Sequence, residues 1–298
     1  MISKEEIAEW FKDLQDSICK ALEEVDGQSK FTEDLWQREE GGGGRTRVIT
    51  AGGLLEKGGV NFSAVHGQTP EKILKTLQLE SSDFFATGVS IVLHPINPRV
   101  PIIHMNVRYF EMSNGTWWFG GGIDLTPHYV EEEEARVFHS SLKAACDKHH
   151  PDYYKRFKQW ADDYFFIKHR KESRGIGGIF FDRLDEKEGK SKEELFAFVK
   201  DVGLCFAPTY TRLVVPKKEL PFTEKEKQWQ LLRRGRYVEF NLVYDRGTKF
   251  GLDTDGRVES ILMSLPETAG WQYNHIPEKG SREEKTLQYL GTSRDWTK

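Results

Sequence analysis

Apolar residues recur every three or four positions near the start of the chain, a period that predicts an amphipathic helix over 3–25. Ser3 and Glu6 have the capping-box spacing that begins such a helix. Similar cues predict later helices near 69–71, over 129–149, 151–170 and 259–265, and from the capping boxes at Ser191 and Glu194 and at Thr223 and Glu226.

Three longer runs of apolar residues predict strands over 84–94, 100–112 and 116–125. They follow one another without room for crossover helices, so antiparallel pairing is expected. The chain is therefore predicted to be a single α+β domain over 1–298, with a large antiparallel sheet flanked by helices. Shorter runs predict further strands over 47–50, 60–65, 177–182, 237–244 and 247–252.

Candidate chemistry lies on one face of this predicted sheet. Side chains alternate between the faces of a strand, so His104, Asn106 and Arg108 share one face while the opposite face is apolar. Ser90 and His94 share a face of the preceding strand. Pairing of the two strands would join these five side chains in one polar patch. An ordinary solvated sheet face is the alternative.

The strand over 116–125 adds a carboxylate beside bare backbone. Trp118, Gly120, Gly122 and Asp124 share a face by parity. Glycines leave room where a ligand or another backbone comes close, and a carboxylate there is a candidate acid or base. A β-bulge followed by a helix-capping aspartate would explain the same pattern.

Two groups of residues suggest ligand sites less specifically. Four histidines fall in or near these elements and offer a divalent-metal site, although tight metal motifs are missing and the last two could cap helices or face solvent: His94, His104, His139 and His169. The glycines at 41–44 break the chain before Arg45 and Arg47, which suggests a carboxylate site rather than a nucleotide loop. Arg233 and Arg234, just before a predicted strand, suggest a second carboxylate site, and a solvated basic turn is the alternative.

Composition narrows the function classes. The net charge of -4 argues against a general nucleic-acid binder but permits a local basic pocket. Apolar runs of about 18 residues, which would predict a membrane span, are absent from the sequence. The three separated cysteines are typical of buried thiols in a reducing compartment. The first residues lack the features of a signal or transit peptide, so a cytoplasmic location is expected.

Long ordered motifs run through the chain, such as HMNVRYF at 104–110 and WWFGGGIDLTP at 117–127. Further motifs lie at 41–48, 56–63, 94–98, 174–182, 233–252, 259–266 and 294–296. Together these motifs resemble the oxygen-dependent coproporphyrinogen III oxidases. The resemblance spans nearly the whole chain, and residues 53–55 depart from the family pattern in a way that looks neutral.

The resemblance implies oxidative decarboxylation of two propionates of coproporphyrinogen III to vinyl groups, which gives protoporphyrinogen IX in haem biosynthesis. It implies molecular oxygen as co-substrate, and carbon dioxide and hydrogen peroxide as products. It also implies a homodimer with contacts around 237–271, built on an antiparallel sheet with helices on both faces. Many family members require no cofactor, whereas some bacterial members are described with a divalent metal at positions that match the four histidines.

The resemblance also assigns roles to residues. Its substrate positions fall on Ser90, Asn106, Val107, Arg108, Asp255, Gly256 and Arg257, and its proposed proton donor falls on His104. We expect Arg108 and Arg257 to pair with propionates and Trp118 to cover the macrocycle. Asp124 is expected to accept the pyrrole N–H groups and to remove one of their protons.

Two other functions fit parts of the same pattern. A porphyrin carrier would use the pocket without chemistry, and an oxygen-consumption assay distinguishes it from an oxidase. A metal-dependent hydrolase or oxygenase would depend on the four histidines, which metal analysis and chelation would test.

Overall fold

A computed structural model describes residues 2–69, 74, 82–253 and 256–298. Its strands are β1 (Thr32–Gln37), β2 (Gly42–Thr50), β3 (Leu55–Gln68), β4 (Asp83–Pro95), β5 (Ile102–Met112), β6 (Trp117–Thr126), β7 (Phe166–Ile167), β8 (Glu172–Ser173) and β9 (Gly178–Leu184). Among the described residues, seven of these strands form one antiparallel sheet in the order β1-β2-β3-β4-β5-β6-β9, and β7 and β8 form a separate hairpin.

Eight α-helices are present in the described residues. They are α1 (Lys4–Asp26), α2 (Glu132–Asp147), α3 (Tyr153–Tyr164), α4 (Lys192–Val214), α5 (Glu224–Val243), α6 (Arg246–Asp253), α7 (Val258–Leu262) and α8 (Arg282–Leu290). The predicted capping boxes begin α1, α4 and α5. The helix predicted near 69–71 falls mostly outside the described residues.

The sheet carries helices on both faces, so the predicted α+β class is confirmed. On the core face α1 packs on β3 and β4, α4 on β5 and β6, and α3 on β9. Apolar residues from alternate strand positions, such as Met105 and Val107, are fully buried there. On the opposite face, Tyr237 of α5 packs against Val92 and Ile102. We call this second face, which α5 and α7 cover at one end, the open face.

The strands predicted over 237–244 and 247–252 are wrong, because these residues lie in α5 and α6. Their aromatic and β-branched residues suit a strand by composition. The capping box at Thr223, however, begins a helix whose buried positions keep a helical period as far as Asn241. Gly235 inside α5 lets another backbone approach, since a Cβ there would lie 2.4 Å from the Gly270 carbonyl oxygen.

The end of α1 is fixed to the β2–β3 connection by one buried carboxylate. Asp26 Oδ1 accepts the N–H groups of Ser29 and Gly53, and Oδ2 accepts those of Leu54 and Leu55, over 2.9–3.0 Å. Burial opposes ionisation of Asp26, but these backbone donors outweigh burial and lower its pKa. The ionised form therefore stabilises the fold.

Asp26→Ala should lower the free energy of unfolding by about 2 kcal/mol or more at neutral pH, because the buried N–H groups of Leu54 and Leu55 lose their acceptor, as do those of Ser29 and Gly53. Since the folded-state pKa of Asp26 is lowered, its contribution is present above the unfolded-state pKa of about 4 and is lost as the pH falls through the folded value. Urea denaturation at several pH values tests this. Asp13→Ala, at an exposed position of α1, is the control and should change stability little.

Candidate active site

Strand register brings the predicted polar residues together on the open face. Ser90 lies opposite Asn106, and Asn106 lies opposite Gly122. In the neighbouring rows His104 lies opposite Asp124 and Arg108 lies opposite Gly120. The shared face predicted from parity is confirmed. His94 lies on the same face but is fully buried, with its ring edge-on to Tyr237.

The centre of this face is an imidazole held by a buried carboxylate. His104 Nδ1 lies 2.7 Å from Asp124 Oδ1, and Arg174 Nη2 donates to Asp124 Oδ2 over 2.7 Å. Burial opposes ionisation of Asp124, but the charge of Arg174 and the His104 hydrogen bond together lower its pKa. An ionised Asp124 accepts the Nδ1–H group, which leaves Nε2 of His104 directed away from the carboxylate.

Arg108 lies beside this pair with its guanidinium partly exposed. Nη1 donates to Asn106 Oδ1 over 2.7 Å, and Nη2 donates to Asp182 Oδ1 over 2.8 Å. The guanidinium lies above Gly120, where a Cβ would be 2.8 Å from Arg108 Cζ and 2.6 Å from Asp182 Oδ1. Glycine at 120 is thus required for this arrangement.

A second arginine reaches the open face from α7. Arg257 pairs with Asp34 of β1 and donates to Ser260 Oγ over 2.9 Å. Ser260 in turn bonds Thr46 of β2, in the register row that includes Asn61, Ser90 and Asn106. Thr46 and Asn106 are separated by three strand spacings, roughly 14 Å. Arg257 and Arg108 therefore reach the open face at positions that are several strands apart.

Comparison with known proteins identifies the family. The sequence profile described as coproporphyrinogen III oxidase matches residues 6–296. The chain belongs to this family. It is 52% identical to the human mitochondrial oxygen-dependent coproporphyrinogen-III oxidase over 96% of the chain and 65% of that protein, so it spans about two thirds of the human relative. It is 50% identical to coproporphyrinogen-III oxidase 1, chloroplastic, of Arabidopsis thaliana, over 95% of the chain and 76% of that protein.

Family membership confirms the resemblance inferred from the motifs, but the structure separates some of the assigned substrate positions. The side chain of Val107 is buried on the core face, so Val107 offers only its backbone to the open face. The Gly256 N–H group donates to the Gly251 carbonyl oxygen over 2.8 Å, just before Arg257. Asp255 lies outside the described residues.

The four histidines do not converge in this member of the family. His94 Nε2 bonds the Ser264 carbonyl oxygen, and burial lowers the pKa of His94 to about 3. His139 bonds Tyr154 Oη and the Ile176 carbonyl oxygen, while His169 bonds residues of α5 and its C-cap. Within the described residues, no group of three or more His, Cys, Asp or Glu side chains could hold a metal ion. These residues do not fit a four-histidine metal site.

The arginines beside the predicted glycine break serve a structural role. Residues 42–44 belong to β2, so the predicted break in the chain is wrong there. Arg45 and Arg47 both pair with Asp16 of α1, and Arg47 also pairs with Glu33. Arg233 and Arg234 are buried in α5 and paired with Glu172 and Glu56, so the solvated basic turn is wrong.

The sequence interpretation missed Arg174 and Asp182. Asp182 lies four residues after Gly178 in β9, and Gly178 is the register partner of Asp124. Strand alternation therefore places Asp182 on the same face as Asp124, which is a signal that the sequence contained. Arg174 lies between β8 and β9, 50 residues from Asp124, and no periodicity links the two. Asp124 is 2% exposed and both of its oxygens are bonded. Of Asp124 and His104, the histidine has the more exposed side chain.

None of the helices in the described residues combines the length and the apolar character needed to cross a membrane.

Gly120→Ala should displace the Arg108 guanidinium and cost about 1–3 kcal/mol of stability, because the new methyl group overlaps Arg108 and Asp182. A crystal structure and urea denaturation of the variant measure both effects. Gly291→Ala, whose Cβ would be 3.5 Å from its nearest neighbour, should leave both unchanged. An unmoved Arg108 in the first variant would contradict the role given to Gly120.

Proposed function

We propose that this chain catalyses the oxygen-dependent oxidative decarboxylation of two propionates of coproporphyrinogen III to vinyl groups, giving protoporphyrinogen IX. Family membership supports the reaction class. The observation that carries the mechanism is His104, held by a buried and ionised Asp124 on a glycine-lined face beside Arg108. This arrangement combines an acid–base group with a carboxylate-binding cation.

Substrate binding follows from charge. The macrocycle carries four propionates, and a protein of net charge -4 must meet them with local cations. Arg108 is 35% exposed at its side chain, so a propionate can replace Asp182 as its partner. Arg257 provides the second cation across the face. Phe110 and Trp118 stack with ring centroids 4.3 Å apart, and together they offer a flat apolar surface to the substrate macrocycle.

The reaction balances for each propionate. One propionate, one oxygen molecule and one proton become one vinyl group, one carbon dioxide and one hydrogen peroxide. The substrate loses two electrons and oxygen gains them. Removal of a pyrrole N–H proton makes the ring electron-rich enough to react with oxygen directly, and the peroxide formed takes a proton from the ring-adjacent carbon as the bond to the carboxylate breaks.

His104 has the position for the proton transfers. Its side chain is 23% exposed, and the Asp124 hydrogen bond at Nδ1 directs Nε2 away from the carboxylate. His104 takes the pyrrole proton at Nε2, and the imidazolium so formed supplies a proton when peroxide departs. Asp124 stabilises that imidazolium. Arg108 keeps the reacting propionate in place until carbon dioxide leaves.

His104→Gln should lower kcat at least about 100-fold while KM changes by no more than about threefold, because proton transfer is lost and Arg108 still binds substrate. Oxygen uptake and protoporphyrin fluorescence after oxidation of the product measure turnover. His150→Gln, at an exposed site, should retain normal rates. Normal turnover by His104→Gln would remove His104 from the mechanism, and binding without oxygen uptake by the parent chain would instead identify a carrier.

We also propose that the protein is a homodimer joined through 237–271. Supporting this, α5, α6 and the residues after them expose apolar side chains to an unusual extent, namely Leu242, Val243, Phe250, Leu252, Val258 and Trp271. Molecular oxygen is the proposed co-substrate. Independence from metal and organic cofactors, and a cytoplasmic location, stay predictions from sequence.

Leu242→Glu should dissociate the dimer into 34.5 kDa chains, since a buried charge at an apolar interface is costly. Sedimentation equilibrium measures the mass. Leu204→Glu on α4 is a matched control, because Leu204 is 54% exposed but lies outside 237–271, and it should leave the mass unchanged. A monomeric parent chain, or a dimer that tolerates Leu242→Glu, would contradict this interface.

A further inference from the structure

A fully enclosed arginine lies behind the proposed acid–base pair. Arg174 is 3% exposed, and its Nη2 and Nη1 groups donate to Asp124 Oδ2 and Asn241 Oδ1 over 2.7 and 2.9 Å. Three aromatic rings surround its Cζ atom, those of Phe165, Tyr237 and Phe240, with centroids 4.3, 4.5 and 4.7 Å away. Arg174 is therefore shielded from the open face and does not contact substrate there.

The position of Arg174 matters because Asp124 is itself buried. An ionised carboxylate in such surroundings is stable only when it is paired and hydrogen-bonded. Arg174 supplies a full charge at one oxygen, and the planar guanidinium reaches Asp124 and Asn241 at once, which a lysine ammonium cannot do in the same geometry. The ring faces stabilise the cation where water is excluded.

We infer that Arg174 is a positioning residue that neutralises Asp124 and thereby governs how strongly His104 holds a proton. This inference depends on the proposed acid–base role of His104. Together Asp124 and Arg174 carry no net charge, and His104 faces a polar but neutral pair. Without Arg174, an unbalanced carboxylate would hold a proton on His104.

Other charged groups around His104 do not replace Arg174. Arg108, on the same strand face, is matched by Asp182. Tyr237 of α5 stays neutral because burial raises its pKa, and burial lowers the pKa of His94, which keeps that ring neutral as well. Asp245 lies within electrostatic range of Arg174 and is bonded to Tyr164. Removing Arg174 therefore leaves the site more negative.

The test is a titration of His104 in the intact protein. Histidine labelled with carbon-13 at Cε1 gives nine signals, and His104→Gln identifies the relevant one. In Arg174→Gln the His104 midpoint should rise by about one pH unit or more. The acid limb of the pH–rate profile should move in the same direction. Arg174→Lys keeps the charge and should restore most of the midpoint, although not the full rate.

Arg234→Gln is the matched control. Arg234 is also fully buried and paired with a carboxylate, Glu56, so its loss should destabilise the fold comparably while the His104 midpoint stays at the parent value. An unchanged midpoint in Arg174→Gln, or an equal shift in Arg234→Gln, would overturn the inference.

A second comparison covers the case in which Arg174→Gln fails to fold. Asp124→Asn combined with Arg174→Gln buries a neutral pair of similar volume, which proteins tolerate better than one uncompensated charge. The His104 midpoint should be higher in this double variant than in Asp124→Asn alone, because a nearby cation has been removed. Equal midpoints would overturn the inference. These titrations need no substrate, so a parent chain inactive towards coproporphyrinogen would refute the proposed function and leave this result standing.

Discussion

The candidate site depends on one buried carboxylate that is bonded on both sides. Asp124 comes from β6, its histidine partner from β5, and its arginine partner from the segment between β8 and β9, while α5 supplies the residue that holds that arginine. Burial of Asp124 is unfavourable alone and is offset only when every partner is in place. The sheet register, the β8–β9 connection and the packing of α5 are thereby linked to the protonation state of His104.

The two faces of the sheet divide stability from chemistry. Residues at one parity of β5 form the apolar core with α1 and α4, and residues at the other parity face a surface that Gly120 and Gly122 keep free of side chains. A shift of one residue in the β5–β6 register would place Arg108 in the core and Met105 on the surface. The core that fixes this register therefore also fixes the active-site geometry.

Sequence alone predicted the parts of the site that follow from strand periodicity. Alternation along the predicted strand over 100–112 placed His104, Asn106 and Arg108 on one face. Pairing of that strand with the one predicted over 84–94 brought Ser90 beside them. The same reasoning failed at 237–244, where aromatic and β-branched residues suit a strand but continue a helix capped at Thr223. It failed also for the four histidines, because two lie outside the sheet and parity says nothing about where those two face. The Arg174 contact joins distant segments, so only the folded chain reveals it.

Proton transfer and charge storage make opposite demands on a group, which explains why the site uses two residues. A group that exchanges protons with a ligand must be exposed and have a free lone pair, and His104 Nε2 meets both conditions. A group that fixes the charge of the site must be shielded from water, because its electric field is stronger in the protein interior than in solvent. Asp124 meets that condition. Burying Asp124 with Arg174 keeps the field nearly neutral before reaction, so the imidazole is free to accept a proton. Once His104 is protonated, the Asp124 carboxylate stabilises the new positive charge at short range. Arg174 offsets part of that stabilisation, so that His104 can release the proton again.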